Sequence, residues 1–365
     1  MGWTTLDIRK DLKYLEKILE SETNPKKRDR IITYIANMKY EIACTELTKF
    51  EKDEDEEEKA LNDIDLDLDE GTCFGDLTHN IADLEKYRLY YPFIKKHIDI
   101  CDKDLERDYV FSHHGNLKLS KKEIFDAVHE FYKGTNKYFY NKYLLFEKNK
   151  NKILNYRPEL DSDDGTCLSF PLVKSRYLEV GGDGAVQNTL VSLSHEIGHF
   201  IGSIINEERY FDDDKFVEIE SLFFELISND YFYKTFDNNK FKENLIDYAY
   251  TYHDDARNIM AFKKVNDDTF KKLYKLDNPY HYYGEISKKV PYYKNVDVDD
   301  KMKYLFSYLV ALELYELYKE DKDLALYKLK EIVRPNNRKS EYQRITENIE
   351  LNNNMKEHVK TLKRF

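Results

Sequence analysis

Glycine and proline are scarce in this chain, which holds 12 glycines and 7 prolines among 365 residues. Each stands at less than half its usual share in globular proteins. Because both residues interrupt regular backbone, their scarcity favours long helices over sheets with many turns. Apolar residues make up 41% of the chain, which is enough to fill a core at this length. The composition therefore predicts a mainly α fold.

Basic clusters are missing as well. Lysine and arginine number 58 against 70 aspartates and glutamates, which gives a formal charge of −12. Nucleic-acid binding depends on clustered basic side chains that displace counterions from phosphates, so nucleic acid is not an expected partner. No apolar run approaches the roughly 20 residues that span a bilayer, and the first 20 residues mix charges throughout, unlike an export signal. We therefore expect a cytoplasmic protein without membrane contact.

The cysteines lack paired spacing. No C-x-x-C motif occurs, so the sequence suggests neither a disulfide framework nor a cysteine zinc knuckle, and we interpret the thiols as reduced. The four cysteines are Cys44, Cys73, Cys101 and Cys167. Several isolated histidines are interpreted as structural or exposed side chains rather than ligands. They are His79, His97, His129, His253 and His358.

The character of the chain changes near Arg157-Pro158. We predict an N-terminal helical lobe over residues 1–157 and a second region, rich in motifs, over residues 158–365. Residues 51–70 form an acidic, low-complexity stretch, which we interpret as a solvated loop of the first lobe.

Two short strands and two helices are predicted just beyond this boundary. The strands cover residues 166–173 and 176–180, because these segments are extended in character and end in glycine-rich turns. A long helix follows from about residue 186 to 205, and a second one spans roughly residues 215–233.

The strongest chemical signal is an H-E-x-x-H motif in the first of these helices, at His195, Glu196 and His199. Residues four apart lie one turn apart on the same helix face, so both histidines can direct a ring nitrogen at one tetrahedral Zn²⁺. Glu196 follows the first ligand and would reach a water molecule rather than the metal. The motif predicts one zinc ion per chain, with Glu196 as general base.

The second helix is apolar almost all round, yet it carries Glu218, Glu220 and Glu225. A carboxylate on a buried helix needs a cation or several donors, and a zinc ion on the preceding helix supplies one. Glu218 and Glu225 are seven apart and share a face, whereas Glu220 lies about 160° round the helix and can reach solvent. The alternative places all three carboxylates on a solvated edge.

Five segments, taken in order, resemble the thimet oligopeptidase and oligoendopeptidase F family of zinc peptidases. They are Gly165-Thr166-Cys167, Tyr177-Leu178-Glu179-Val180, residues 181–184, His195-Glu196-Ile197-Gly198-His199, and Phe216-Val217-Glu218 with Ser221 and Glu225. The resemblance covers roughly residues 161–314. It implies a helical zinc-metallopeptidase fold, with a small β-sheet beside the active-site helix and a substrate cleft between two helical lobes.

The resemblance also implies residue roles. Glu218 is the third zinc ligand, and Glu225 orients a ligand histidine. The strand at residues 177–180 is the edge along which the substrate backbone pairs, and Gly165, Thr166 and Cys167 are also substrate-binding positions.

A late pair of tyrosines resembles the end of the family's catalytic tyrosine segment. The pair is Tyr304 and Tyr308, and we prefer Tyr308 as the hydroxyl donor to the oxyanion because its helix is apolar enough to be buried. No histidine precedes this pair at the family's short distance. His281 and Tyr293 are therefore reserve candidates for the same role.

Together these motifs predict a zinc-dependent endopeptidase that hydrolyses oligopeptides or extended, unfolded segments of polypeptides. One alternative is a zinc-containing binding protein that has lost catalysis, although the intact Glu196 counts against it. A further alternative is a metallopeptidase of another glutamate-ligand clan, in which Glu220 binds the metal.

Overall fold

The computed structural model is mainly helical with one small sheet, as the composition and the resemblance predict. It describes residues 5–47, 86–104, 117–159, 165–170, 175–206, 216–273, 298–335 and 339–362. The chain divides into two compact units, each built from two segments. The first unit joins Met1–Asp67 to Leu119–Tyr210, and the second joins Leu68–Lys118 to Phe211–Phe365.

The described elements are numbered in chain order. The helices are α1 (Thr5–Ser21), α2 (Pro25–Leu47), α3 (Tyr91–Asp104), α4 (Lys121–Lys133), α5 (Lys137–Ile153), α6 (Val186–Ile205), α7 (Ile219–Phe236), α8 (Lys240–Leu273), α9 (Val298–Glu320), α10 (Lys322–Val333), α11 (Glu341–Asn348) and α12 (Met355–Leu362). The strands are β1 (Leu154–Tyr156), β2 (Thr166–Phe170) and β3 (Ser175–Val180). Among the described helices, none combines the length and apolar character that crossing a bilayer requires.

The sheet of the first unit has the strand order β1-β3-β2. β3 pairs with β1 in parallel and with β2 in antiparallel fashion, so that Leu178 lies opposite Leu154 on one side and Cys167 on the other. The prediction that residues 177–180 form an open edge for substrate is therefore wrong, because both sides of β3 already carry ladder partners. Among the described strands, β1 and β2 each have a partner on one side alone.

The boundary predicted near residue 157 falls inside the first unit. α4 and α5 both pack against α6, and the Tyr132 hydroxyl donates a hydrogen bond of 2.8 Å to the Ser194 carbonyl. These contacts join helices on either side of residue 157, so the division follows packing rather than local composition. The acidic stretch 51–70 lies outside the described residues.

A tight turn leads from β3 into α6. Gly184 adopts a positive φ of 68°, which glycine tolerates without strain. Gly182 lies so close to the first turn of α6 that a Cβ there would come within 2.1 Å of Thr189 Oγ1. The glycine-rich run seen in the sequence thus lets the chain fold directly from the sheet into the motif helix.

The second unit is a bundle in which α7 packs against α8 and α9, and α9 against α10. α7 and α9 are buried on most of their circumference, as helices with apolar residues all round should be. Aromatic rings fill the space at one end of these helices. The Tyr90 ring lies 5.1 Å from Phe216 and 4.4 Å from Phe306, centroid to centroid and edge on.

Candidate metal centre

The H-E-x-x-H histidines lie on α6, where the sequence placed them. His195 Nε2 and His199 Nε2 are 3.1 Å apart, and His199 is buried while His195 is partly exposed. Two imidazole ligands on one tetrahedral Zn²⁺ would have nitrogens about 3.3 Å apart, from metal–nitrogen lengths near 2.0–2.1 Å. The pair therefore fits a zinc ion within a few tenths of an ångström. A hydrogen bond between the two rings has a similar length, so the neighbouring groups must supply the distinction.

Glu196 is that neighbouring group, and it is buried, with 3% of its surface exposed. It lies against Gly165 at the start of β2, where a Cβ would come within 2.6 Å of Glu196 Oε1 and 3.3 Å of Ser192 Oγ. The absence of a side chain at residue 165 therefore makes the room that the carboxylate occupies. Gly165, predicted as a substrate-binding residue, also has a contact with the predicted base.

α6 is held on both flanks. Besides the Tyr132 hydroxyl bond to the Ser194 carbonyl, which lies one residue before the first histidine, β3 binds the C-terminal end of the helix. Arg176 Nε donates to Ser203 Oγ at 2.6 Å, and Arg176 Nη2 donates to the Ser203 carbonyl at 3.0 Å. These bonds fix the helix against α4 and the sheet, which keeps the two histidines in a constant position.

Glu218 immediately precedes α7 and is buried, with 8% of its surface exposed. Ser221 Oγ lies 3.0 Å from both the Glu218 carbonyl and Glu218 Oε2. Ser221, one of the motif residues, thus orients one oxygen of the carboxylate. Glu218 belongs to the second unit and the histidines to the first, and its role as their fellow ligand is part of the proposal below.

The other two carboxylates of α7 are also buried. Glu225 is 8% exposed and accepts a hydrogen bond from the Tyr248 hydroxyl of α8. Glu220 is 1% exposed, so the expectation that it can reach solvent is wrong. A helix packed on every side has no solvent face, and an angular separation from Glu218 therefore does not imply exposure.

The tyrosines of α9 are placed differently from one another. Tyr308 is completely buried and stacks on Tyr252 of α8, with ring centroids 4.2 Å apart and planes at 20°. Burial raises the pKa of Tyr308 well above its ordinary value. Tyr304, one turn earlier, is partly exposed. The burial of Tyr308 is that of a core aromatic ring, whereas Tyr304 retains some exposed surface. His281 and Tyr293 lie outside the described residues.

The predicted strand residues have structural partners of their own. The Tyr177 hydroxyl donates to Asp11 Oδ2 on α1 at 2.5 Å, and Glu179 Oε1 accepts from Asn155 Nδ2 at 2.6 Å. Leu178 and Val180 have no exposed surface. Thr166 and Cys167, in contrast, lie on β2 and are partly exposed.

Sequence reasoning missed Tyr248 and Tyr252, which line the α7 side of α8. Burial is the main cause that raises the pKa of both phenols well above the ordinary value, and the charge of Glu225 is the next. Both hydroxyls therefore remain protonated donors near the α7 carboxylates. The spacing of four residues puts the two tyrosines on one helix face and could be seen in the sequence. Nothing local in the sequence, however, indicated that Glu225 accepts a hydrogen bond from Tyr248.

No family model matches the chain, and no curated protein is significantly similar to it. Three solved structures are similar in shape. One is a candidate oligoendopeptidase F from Bacillus anthracis str. Ames, with 14% identity, a TM-score of 0.43, and 94% of this chain and 64% of that chain covered. Another is PZ peptidase A with an inhibitor, with 12% identity, a TM-score of 0.43, and 78% and 57% covered.

The third is another candidate oligoendopeptidase F, with 12% identity, a TM-score of 0.45, and 77% and 57% covered. The chain thus spans less than two thirds of the length of each of these structures. At such identities and TM-scores the similarity does not identify a family, so the function rests on the chemistry of the site itself.

Proposed function

We propose that this protein is a zinc-dependent endopeptidase that hydrolyses oligopeptides or extended segments of polypeptides. The observation that carries the proposal is the arrangement on α6. Two imidazole nitrogens lie 3.1 Å apart, and Glu196, which stands between the two histidines in the sequence, is buried. A zinc site with a purely structural role needs no such carboxylate. A catalytic site does need one, because a base must receive a proton from water.

The proposed ligands are His195, His199 and Glu218, which bind one zinc ion per chain and leave a fourth position for water or substrate. Two imidazoles and a carboxylate are a donor set that zinc uses in hydrolytic enzymes. The Ser221 hydroxyl supports the assignment of Glu218, since it orients one carboxylate oxygen as outer-shell donors commonly do. When bound, Zn²⁺ supplies Lewis acidity toward a carbonyl oxygen and toward water.

Glu196 is proposed to take a proton from the attacking water and to pass it to the departing amine. Burial suits this role, because it keeps bulk water away from the carboxylate. The contact with Gly165 restricts where the carboxylate can lie. The carboxylate would thus hold the proton in one position between its removal from water and its delivery to the amine.

The substrate backbone is proposed to pair with β2, at Thr166 and Cys167. This replaces β3, which has ladder partners on both sides, whereas β2 has one among the described strands. Main-chain pairing gives affinity with little selection of side chains. Because β2 begins beside Gly165 and Glu196, a peptide on this edge would pass close to the base.

Tyr304 is proposed as the hydroxyl that stabilises the oxyanion, with Tyr293 and His281 as further candidates. The partial exposure of Tyr304 supports this choice, whereas the full burial of Tyr308 opposes our preference from the sequence. A neutral donor aimed at developing negative charge strengthens its bond mainly in the transition state.

The test is digestion of a peptide library by the purified full chain, with products identified by mass spectrometry. Cleavage should occur with zinc, should disappear with a chelator, and should return when zinc is restored. Glu196→Gln is the matched control, because the amide keeps the shape and the metal but cannot accept the proton. A wild-type protein that holds zinc and cuts no peptide would refute the peptidase and favour a binding protein instead.

A further inference from the structure

A second group of metal-binding side chains lies entirely within the second unit. His97 and Cys101 come from α3 and His253 from α8, and one ligand atom of each lies within 4.8 Å of the others. His97 and Cys101 have no exposed surface, and His253 is 4% exposed. From the sequence, both histidines were interpreted as structural or exposed side chains rather than ligands, and Cys101 as a reduced thiol.

The spacing on α3 suits a common ion. His97 and Cys101 are four residues apart, so they lie on one helix face, one turn apart. Cys101 Sγ is 3.9 Å from His97 Nδ1 and 3.8 Å from His97 Nε2. A thiolate and an imidazole on one tetrahedral Zn²⁺ would have ligand atoms about 3.5 Å apart, from metal–sulfur and metal–nitrogen lengths near 2.3 and 2.0–2.1 Å. The observed separations need a shift of a few tenths of an ångström.

His253 is oriented as a metal-binding histidine commonly is. Its Nε2 lies 3.1 Å from Asp102 Oδ1, and Arg257 holds the same oxygen at 3.2 Å. The buried Nδ1 has no hydrogen-bond partner among the residues that the structure describes. A ligand histidine usually donates one ring N–H to a carboxylate, which fixes the ring and leaves the other nitrogen for the metal. Asp102 and Arg257 fit that supporting role.

Core packing alone is a poor account of this group. A buried nitrogen without a partner costs roughly 1–3 kcal/mol, and two imidazoles and a thiol are collected here where apolar side chains would pack without that cost. An ion would use the partnerless nitrogen of His253 and the two α3 side chains together. The absence of a carboxylate from the set excludes magnesium and calcium, which prefer oxygen ligands.

We propose that His97, Cys101 and His253 bind a second transition-metal ion, Zn²⁺, which ties α3 to α8. Binding releases the thiol proton of Cys101 to solvent, since the thiolate is the ligand. The three ligands are buried and no carboxylate base is among them, so we assign the ion a structural role with no part in peptide hydrolysis. The chain then carries this ion in addition to the one proposed at α6, and neither assignment depends on the other.

The experiment is a titration of metal-depleted, reduced full chain with cobalt(II) chloride, followed by absorption spectroscopy. Cobalt bound to a thiolate gives a sulfur-to-metal charge-transfer band in the near ultraviolet. The α6 site offers no sulfur, so this band reports the second site alone. The band should be complete by about two equivalents of cobalt per chain, because the α6 site takes up one of them, and zinc should displace the cobalt. If no such band forms in the wild type, the proposal is wrong.

Three variants identify the sulfur and the helix partner. Cys101→Ser should abolish the band and His253→Ala should weaken cobalt binding at least tenfold, whereas His199→Ala should leave the band intact. The matched control is the triple variant Cys44→Ser, Cys73→Ser, Cys167→Ser, in which Cys101 is the remaining cysteine and the band should persist.

The triple variant also covers the case in which Cys101→Ser fails to fold. If the band disappears from the triple variant while circular dichroism shows it folded, the sulfur ligand is another cysteine and the proposal is overturned. The same holds if Cys101→Ser is folded and retains the band. In folded His199→Ala protein, in which the α6 site is disabled, zinc should raise the melting temperature, and the added Cys101→Ser change should abolish that rise.

Discussion

The two histidine groups of this protein differ in what surrounds them. On α6 the two histidines share one helix, His195 is partly exposed, and Glu196, the proposed base, follows it directly. In the second unit the proposed ligands come from two helices, all are buried, and one of them is a thiol. Burial lowers the pKa of His97 to about 3, so this ring is neutral throughout the physiological range. A partly exposed histidine beside a carboxylate base favours a catalytic metal site, whereas a buried group that includes a thiol and no base favours a structural one.

The largest effect is expected from a variant that removes the base and keeps the metal. Glu196→Gln should lower kcat by about 10²- to 10⁴-fold, because the proposed acceptor of the water proton is lost. Zinc content should be unchanged. Cys101→Ser, the matching change in the second group, should leave kcat per folded molecule near the wild-type value. Ordinary turnover by Glu196→Gln protein would show that Glu196 is not the base.

The position of the base can be tested without touching it. Gly165→Ala would place a Cβ within 2.6 Å of Glu196 Oε1, so the flexible carboxylate must move. We expect kcat to fall by about 10²-fold, the scale of an ångström-sized misplacement of a catalytic group. The melting temperature and zinc content should hardly change, because the atom displaced is the end of a side chain. Normal kcat in this variant would show that the approach of β2 to Glu196 is irrelevant to catalysis.

The exclusion of solvent from the second unit can be tested through Glu313 on α9. Burial raises the pKa of this carboxyl from 4.5 to about 7, and the Asn354 backbone N–H, at 3.1 Å from both oxygens, partly opposes the rise. The unfolded chain loses this proton first, so folding stability falls as pH rises from about 4.5 through 7. Glu313→Gln should abolish that fall.

The expected size is up to about 3 kcal/mol at pH 8, at 1.36 kcal/mol per pKa unit. Denaturant unfolding of wild type and Glu313→Gln at pH 5 and pH 8 measures it. If the difference in unfolding free energy between wild type and Glu313→Gln is the same at pH 5 and pH 8, burial does not raise the pKa of Glu313.

The smallest expected effect concerns Tyr308, whose buried hydroxyl has no hydrogen-bond partner among the described residues. Tyr308→Phe removes a group that burial leaves unsatisfied, so the free energy of unfolding should stay level or rise by about 1 kcal/mol. The activity should be unchanged, whereas Tyr304→Phe should lower kcat by about 10²-fold. The reverse pattern would restore Tyr308 as the oxyanion donor.

Much of this site was predictable because its signals are local. The motif helix was predicted over about residues 186–205 and is α6, Val186–Ile205. The spacing of His195 and His199 placed both rings on one face, and the apolar surroundings of Glu218 and Glu225 predicted their burial correctly. Each of these features depends on residues within two or three helix turns of one another.

The errors came from contacts between distant segments. The Tyr177 to Val180 strand looked like an open edge, but β1 pairs with it from beyond the predicted boundary. The histidine and cysteine of α3 had readable spacing, yet His253 follows them by some 150 residues, so the third ligand had no local signal. Glu220 was placed by its helix angle, which cannot tell solvent from a neighbouring helix.

His195, His199 and Glu218 are proposed to hold the zinc ion beside which Glu196 acts. The most direct measurement is the zinc content of folded Cys101→Ser protein, in which the proposed second site is disabled, compared with the same protein carrying Glu218→Gln or Glu220→Gln. We expect about one zinc per chain in the parent and with Glu220→Gln, and a loss of zinc affinity of at least tenfold with Glu218→Gln. Unchanged affinity with Glu218→Gln, or its loss with Glu220→Gln instead, would refute Glu218 as the third ligand.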